Sequence, residues 1–219
     1  MDALASPEPR RELPFYQAWI QALTRPNEPA YVDLVSRPGV TSGKAYLWVF
    51  LSSLIGWLLA APLIMMLGFP GLSQIGGERP LIDVTSLGIG LACLIPLGAG
   101  FALLAMTIFT GLNHLIAKGL GGAGEFSRLL YAVAAYTAPL AILSPPLSVI
   151  PLASCIASLL GFYTIFLNIL AIKAVYGLTW GRAIASSTLM ISLVLTFFIC
   201  CFAILLITAG AFTIPGSSG

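Results

Sequence analysis

Charge is scarce in this chain: ten Lys and Arg, eight Asp and Glu and one histidine serve 219 residues. That is too little to clothe the surface of a water-soluble domain of this size, in which about a quarter of residues are ordinarily charged. With apolar residues at 58% of the chain, water is excluded as the solvent for most of it. The single histidine, His114, has no Cys, carboxylate or second histidine at ligand spacing, so a metal centre is not expected. Cysteine is sparse too. Cys93, Cys155, Cys200 and Cys201 all fall in apolar runs without zinc spacing, and adjacent Cys200 and Cys201 are poorly placed to bridge, so they are expected to be small packing residues.

The scarce charges are unevenly distributed. Residues 45–77, 84–117, 129–172 and 183–219 contain no Asp, Glu, Lys or Arg, and each run exceeds the ~20 apolar residues that a spanning helix needs. The longest holds "SPPLSVIP", where Pro145, Pro146 and Pro151 remove backbone donors and bias Ser144 and Ile150 away from helix, so it is expected to be two crossings and a tight turn. Five helices result, at about 45–68, 84–117, 129–143, 152–175 and 183–209. The expected class is all-α: a polytopic integral membrane protein, a five-helix bundle over residues 42–219 preceded by a short amphipathic segment, 1–41. As one straight helix, 84–117 would measure about 51 Å against a hydrocarbon core of ~30 Å. It must tilt, kink at Pro96 or project beyond the core.

Five crossings put the termini on opposite sides. With the N-terminus in the cytoplasm, Arg10, Arg11, Arg25, Arg37, Lys44, Lys118, Arg128, Lys173 and Arg182 lie inside and Arg79 alone outside, as the positive-inside rule favours. The opening "MDALASPEPRRELP" is acidic and proline-rich with no short apolar run behind it, so no cleaved signal peptide is expected and the first span acts as the anchor. In "LPFYQAWIQALTRPNEPAYVDLVSRPGV", Phe15, Tyr16, Trp19, Ile20 and Leu23 share helical spacing until Pro26 and Pro29. That aromatic face either lies on the membrane or packs on the ends of the spans. A second apolar set, Tyr31, Leu34 and Val35, ends at Pro38 and Gly39, and Thr41 or Ser42 is placed to cap the first span.

Between the second and third spans stands "GLNHLIAKGLGGAGEFSR". Gly119, Gly121 and Gly124 fit a dinucleotide fingerprint as letters, yet a membrane helix precedes them where a parallel strand is required, and no acidic residue follows at about 20 positions. No Lys followed by Ser or Thr completes a P-loop. Neither nucleotide nor nucleic acid is an expected partner, and no cofactor is. The cluster is expected to be a turn in which Gly119, Gly121, Gly122 and Gly124 take positive backbone dihedrals, with Glu125 at the favourable start of the next helix and Arg128 three residues on. Asn113, His114 and Lys118 lie near the end of the preceding helix, His114 and Lys118 on one face, and a structural or interfacial histidine is expected. No ionisable side chain falls at depth in a span, which argues against proton or ion coupling. Ala134, Ala138 and Ala141, and Gly98 with Ala102, form small-residue faces, Pro139 stands ready to kink the third span, and that span is expected near the bundle centre.

The run "HLIAKGLGGAGEFSRLLYAVAAYTAPLAI" with "AIKAVYGLTWGRAIAS" resembles the Yip1 domain family. The resemblance rests on Gly121, Gly122, Gly124, Phe126, Tyr136, Pro139, Gly177, Arg182 and Ala183, and "AWIQALTRPNEP" is similar to the segment before the first span in prokaryotic members. It implies a cytoplasmic N-terminus, five spans and no enzymatic activity. Eukaryotic members bind Rab-type GTPases and one another, but "DLVSRPG" departs from their Asp-Leu-Tyr-Gly-Pro motif and that partner is not carried over. A prokaryotic plasma membrane is the expected location.

Two functions fit. One is a non-catalytic scaffold whose cytoplasmic face, built from the N-terminal segment, the glycine turn and the Lys173 to Arg182 turn, docks proteins, anionic lipids or a second copy. The other is a passage for a small neutral solute or lipid. An enzyme is not expected, since no nucleophile–base or carboxylate pair can be placed at one depth. Arg182 is expected to clamp the N-terminal segment through Glu125, Glu12, Glu28 or Asp33, because a guanidinium pairs with carboxylates bidentately. A reporter active only in the cytoplasm should work when fused ahead of Met1 and be silent after Gly219; the same result at both ends would eliminate five crossings.

Overall fold

A computed structural model describes residues 12–67, 84–150 and 152–212, without the side chains of 84–89, 91 and 205–212. Arg10, Arg11, Gly68, Arg79, Pro151 and Gly219 lie outside the described residues. The rest is helical: α1 (Phe15–Thr24), α2 (Glu28–Ser36), α3 (Ser42–Leu67), α4 (Val84–Gly119), α5 (Phe126–Val149), α6 (Ala153–Tyr176) and α7 (Trp180–Phe212). Helices α3 to α7 are each long and apolar enough to cross a membrane. Their outward faces carry Leu58, Phe101, Phe162, Phe197, Phe198 and Phe202, all exposed. A continuous apolar surface of that kind belongs in lipid.

Local chemistry explains where the helices start. The Asn27 side chain accepts from Ala30 N–H at 2.9 Å and caps α2, and Pro29 occupies its first turn, where the missing donor costs nothing. Pro29 therefore belongs to a second helix as well as following the first. Thr41, of the two capping candidates, has its hydroxyl 3.4 Å from Lys44 N–H at the start of α3.

Helix α5 is the centre of the bundle. Half of its apolar span is buried, against 11–33% for the other four, as the small-residue face led us to expect. It packs most extensively on α3, whose inner stripe is Ala45, Val49, Ser52, Ser53, Gly56, Ala60 and Ile64. Such residues matter because lipid gives helices no hydrophobic reason to associate, and close backbone contact must hold them.

The expectation that the third span ends at Leu143 is corrected here, since α5 runs on to Val149 with Pro139, Pro145 and Pro146 inside it. Pro145 cannot donate to the Ala141 carbonyl four residues back, which leaves that oxygen free of its helical bond. Gly56 of α3 sits directly against it: a Cβ at position 56 would overlap the Ala141 oxygen. The missing Cβ lets the α3 backbone come close to that free carbonyl, and any larger residue at 56 would be excluded. Ser144 adds a back-bond to the Leu140 carbonyl at 2.8 Å. Similarly, α7 begins at Trp180 and not near Ala183, so Arg182 lies inside its first turn.

Candidate interaction site at the capped end of the bundle

Five helix ends meet on one side of the bundle: the starts of α3, α5 and α7 and the finishes of α4 and α6. Helices α1 and α2 pack beside these ends on α5 and α6, and the end of α1 reaches Tyr163, about 20 Å along α6 from its finish. Helix α1 turns Ala18 and Ala22 inward and leaves Phe15, Tyr16 and Ile20 exposed, so its aromatic set is split between the bundle and the outside. Helix α2 buries Tyr31 and Leu34. Tyr31 donates its hydroxyl to the Ala22 carbonyl at 3.1 Å, and burial pushes its pKa above the ordinary phenol value. Tyr163 of α6 donates to the Leu23 carbonyl, satisfying the last turn of α1 from within the spans.

An aromatic ladder continues the attachment. Phe15 stands edge-on to Trp19 at 5.3 Å, Trp19 edge-on to Trp48 of α3 at 6.3 Å, and Trp48 lies 4.9 Å from Tyr131 of α5. Such pairs add about 0.5–1.5 kcal/mol each beyond the area they bury. The electrostatic lock is Lys173 of α6, which is 11% exposed, pairs with Glu28 of α2 and lies 5.0 Å from the ring of Trp180. At that burial an unpaired ammonium is costly, so Glu28 serves Lys173 as much as the reverse.

Arg182 does not hold this role. Its guanidinium donates to the Leu120 carbonyl at 3.3 Å and forms no carboxylate pair among the described residues. The clamp expected of Arg182 belongs to Lys173, because α2 crosses the end of α6 and not the start of α7. Arg182 satisfies instead a carbonyl left open where α4 ends. Glu125 pairs with Arg128 at 3.2 Å within the first turn of α5, and both remain largely exposed.

The glycine cluster is a helix stop followed by a close crossing. Gly121, at φ 91°, donates to the Lys118 carbonyl and Gly122 to that of Ala117, each at 3.0 Å, which is the Schellman closure of α4. Of the four glycines expected to have positive φ, only Gly121 does. Gly122 and Gly124 are required for space: a Cβ on Gly122 would come within 2.8 Å of Tyr176, and one on Gly124 within 2.6 Å of the Val175 carbonyl. A Cβ on Gly119 would meet no atom outside its own helix turn within 4 Å among the described residues.

His114 joins this crossing. Its Nδ1 pairs with the Tyr176 hydroxyl and its ring stands edge-on to Phe126 at 5.6 Å, so one histidine ties the end of α4 to α6 and α5. Lys118, Gly121, Gly122, Gly124 and Arg182 gather around it at the capped end. Tyr136 and Pro139 do not: Tyr136 is buried within the bundle, its hydroxyl 3.4 Å from Asn168, and Pro139 lies further along α5. Asn113 is adjacent to His114 in sequence but lines a cleft between α4, α5, α6 and α7. Sequence reasoning passed over Tyr176 as the partner of His114. No local signal marks it, because the pair is 62 residues apart in the chain.

Five apolar helices, one of them at the centre, with a polar cap at one end define an all-α polytopic integral membrane protein. The Yip1 domain family model matches residues 20–205, and the chain belongs to that family. The matched region takes in α2 with Glu28 and all five spans up to most of α7. No curated protein and no solved structure matches the chain.

Two outcomes follow. Gly122→Ala and Gly124→Ala should each cost about 1–3 kcal/mol through overpacking, while Gly119→Ala should be neutral or stabilising by up to about 1 kcal/mol; thermal melts in detergent would show it, and equal melts for all three would contradict the close crossing. Glu28→Gln, which strands Lys173, should speed proteolytic cleavage between Arg25 and Lys44 more than Lys173→Met does, since Glu28 released from its pair is 40% exposed to water. Arg182→Lys should leave that rate unchanged.

Proposed function

We propose that this protein is a non-catalytic scaffold of a prokaryotic plasma membrane, with its N-terminus in the cytoplasm and its C-terminus outside, whose capped face docks proteins or anionic lipid headgroups. The observation that carries this reading is the way α1 and α2 are held. An ion pair, an aromatic ladder and a hydrogen bond from α6 fasten them to the spans, leaving Phe15, Tyr16 and Ile20 outward on a preformed surface. A surface already ordered loses little entropy when a partner arrives. Arg25, Lys118 and Arg182 stand on the same side without an ion pair among the described residues, and they supply the positive field that an acidic partner or headgroup meets. Cations at this end, with five apolar spans beneath, agree with an inside location under the positive-inside rule.

A photo-crosslinking residue placed at Tyr16 in living cells should yield a discrete adduct, protein or lipid, that weakens in Glu28→Gln, where the cap is loosened. The same residue at Leu58, on the exposed face of α3, should give none of that mass. Reconstituted protein that conducts a solute or scrambles lipids, with no adduct at Tyr16, would replace docking by transport.

A further inference from the structure

The cleft between α4, α5, α6 and α7 has about 420 Å³ of space, within the range of small-ligand sites at roughly 300–1,000 Å³. Five of its polar lining residues sit at one level, with Thr137 and Thr164 a turn or less deeper. Thr110 and Asn113 of α4, Tyr136 of α5, Asn168 of α6 and Ser187 of α7 all lie about 10–15 Å along their helices from the capped end. Three of them form a slack chain across three helices, Tyr136 hydroxyl to Asn168 Oδ1 and Asn168 Nδ2 to Ser187 Oγ, each at 3.4 Å. The two on α4 each hold an acceptor oxygen with no partner among the described residues. Thr110 is 1% exposed and Asn113 is 2% exposed, and the orphaned atoms are Thr110 Oγ1 and Asn113 Oδ1. A buried orphan costs about 1–3 kcal/mol, and Thr110 does not even back-bond to its own helix as Thr107 does at 2.8 Å.

Among the described residues, no Asp, Glu, Lys, Arg or His lines the cleft. A phosphate or carboxylate placed there would be a buried charge without a counter-ion, so the occupant is uncharged. It must donate to Asn113 Oδ1 and exchange a hydrogen bond with Thr110, which a hydroxyl does. The cleft then continues, through the shared residues Phe109, Met190 and Ile191, into a wholly apolar groove of about 290 Å³ completed by Val194, Leu195 and Phe198. Val194 to Phe198 lie about 20–27 Å along α7 from the capped end, deeper in the bilayer than the polar group. A soluble polyol would have no use for this groove. A lipid with its head toward the capped end and its chain toward the bilayer centre uses both.

We infer that the cleft is a binding site for a lipid with a small uncharged hydroxyl-bearing head, a diacylglycerol, whose hydroxyl donates to Asn113 Oδ1 and accepts from Thr110 and whose acyl chain follows the groove between α4 and α7. The site is independent of the docking role of the cap. A compact glyceryl head offers one hydroxyl for Thr110 and Asn113 and ester oxygens that can accept from the Tyr136–Asn168–Ser187 chain. The second chain of a diacylglycerol would remain in bulk lipid, since the groove admits one.

The test uses full-length protein in phosphatidylcholine nanodiscs carrying a diazirine-bearing diacylglycerol, with photolabelled peptides mapped by mass spectrometry. Label should concentrate on residues 109–113 of α4 and 190–198 of α7 and fall with excess unlabelled diacylglycerol, but not with glycerol or phosphatidic acid. Thr110→Val with Asn113→Leu should lower labelling at least about tenfold, as expected for two neutral hydrogen bonds lost, while the melting temperature of delipidated protein stays the same or rises. Val194→Trp should block the groove and lower labelling with the polar pair intact. If the double variant does not fold, Thr110→Val alone, close to isosteric, should still lower labelling severalfold. Label spread evenly around the spans or unchanged in the variants would overturn the site, as would a delipidated double variant that folds but melts lower. Competition by glycerol would make it a polyol site, and competition by phosphatidic acid a nonselective lipid contact; either overturns the proposal.

Discussion

Close approach at glycines, where a backbone without a side chain meets a neighbouring helix, is the constraint on which this bundle depends. In lipid the spans gain nothing by hiding apolar surface from water, so association rests on how closely their atoms approach. At mid-bundle Gly56 of α3 meets the Ala141 carbonyl that Pro145 leaves free, and at the capped end Gly122 and Gly124 lie against Tyr176 and Val175. Both contacts bear on α5 or the turn leading into it. Together they bring α3 and α6 against the same helix from different sides, and this makes α5 the best buried of the five.

That placement accounts for the cap. With the finish of α6 drawn in by the glycine turn, Lys173 is positioned to pair with Glu28 of α2, and Tyr163, deeper along α6, pairs with Leu23 of α1. The cap is therefore a consequence of span packing. It also excludes Arg182 from the clamp: at the start of α7 it faces the end of α4, where the open carbonyl of Leu120 is its nearest need. Asn113 and His114, neighbours on α4, show how one helix serves two sites. His114 turns to Tyr176 and completes the crossing, and Asn113 turns into the cleft, where its Oδ1 has no partner among the described residues.

The sequence made the class of this protein legible because a bilayer imposes its rule residue by residue. Charge-free runs longer than a span, basic residues between them and small residues along α5 are local properties, and they announced five helices and a central third span without any contact being known. The glycine turn was legible as a turn for the same reason. Local reasoning overreached where tertiary neighbours intervene: Pro145 and Pro146 looked like the end of a helix, yet α5 runs through them to Val149, with Gly56 against the carbonyl that Pro145 leaves free; Gly122 and Gly124 looked like positive dihedrals, yet they are there to admit Tyr176 and Val175.

What the sequence by itself determined was which segments enter the membrane and which do not, since solvent preference belongs to each residue and adds along the chain. Only the tertiary structure decided who meets whom: that Lys173 and not Arg182 takes Glu28, that His114 takes Tyr176, and that Thr110, Asn113, Tyr136, Asn168 and Ser187 stand at one level around one cleft. These partners lie on different helices, many residues apart, and their meeting depends on the rotation and depth of each helix. Those are set by small-residue contacts between helices, and no periodicity within a single segment encodes them.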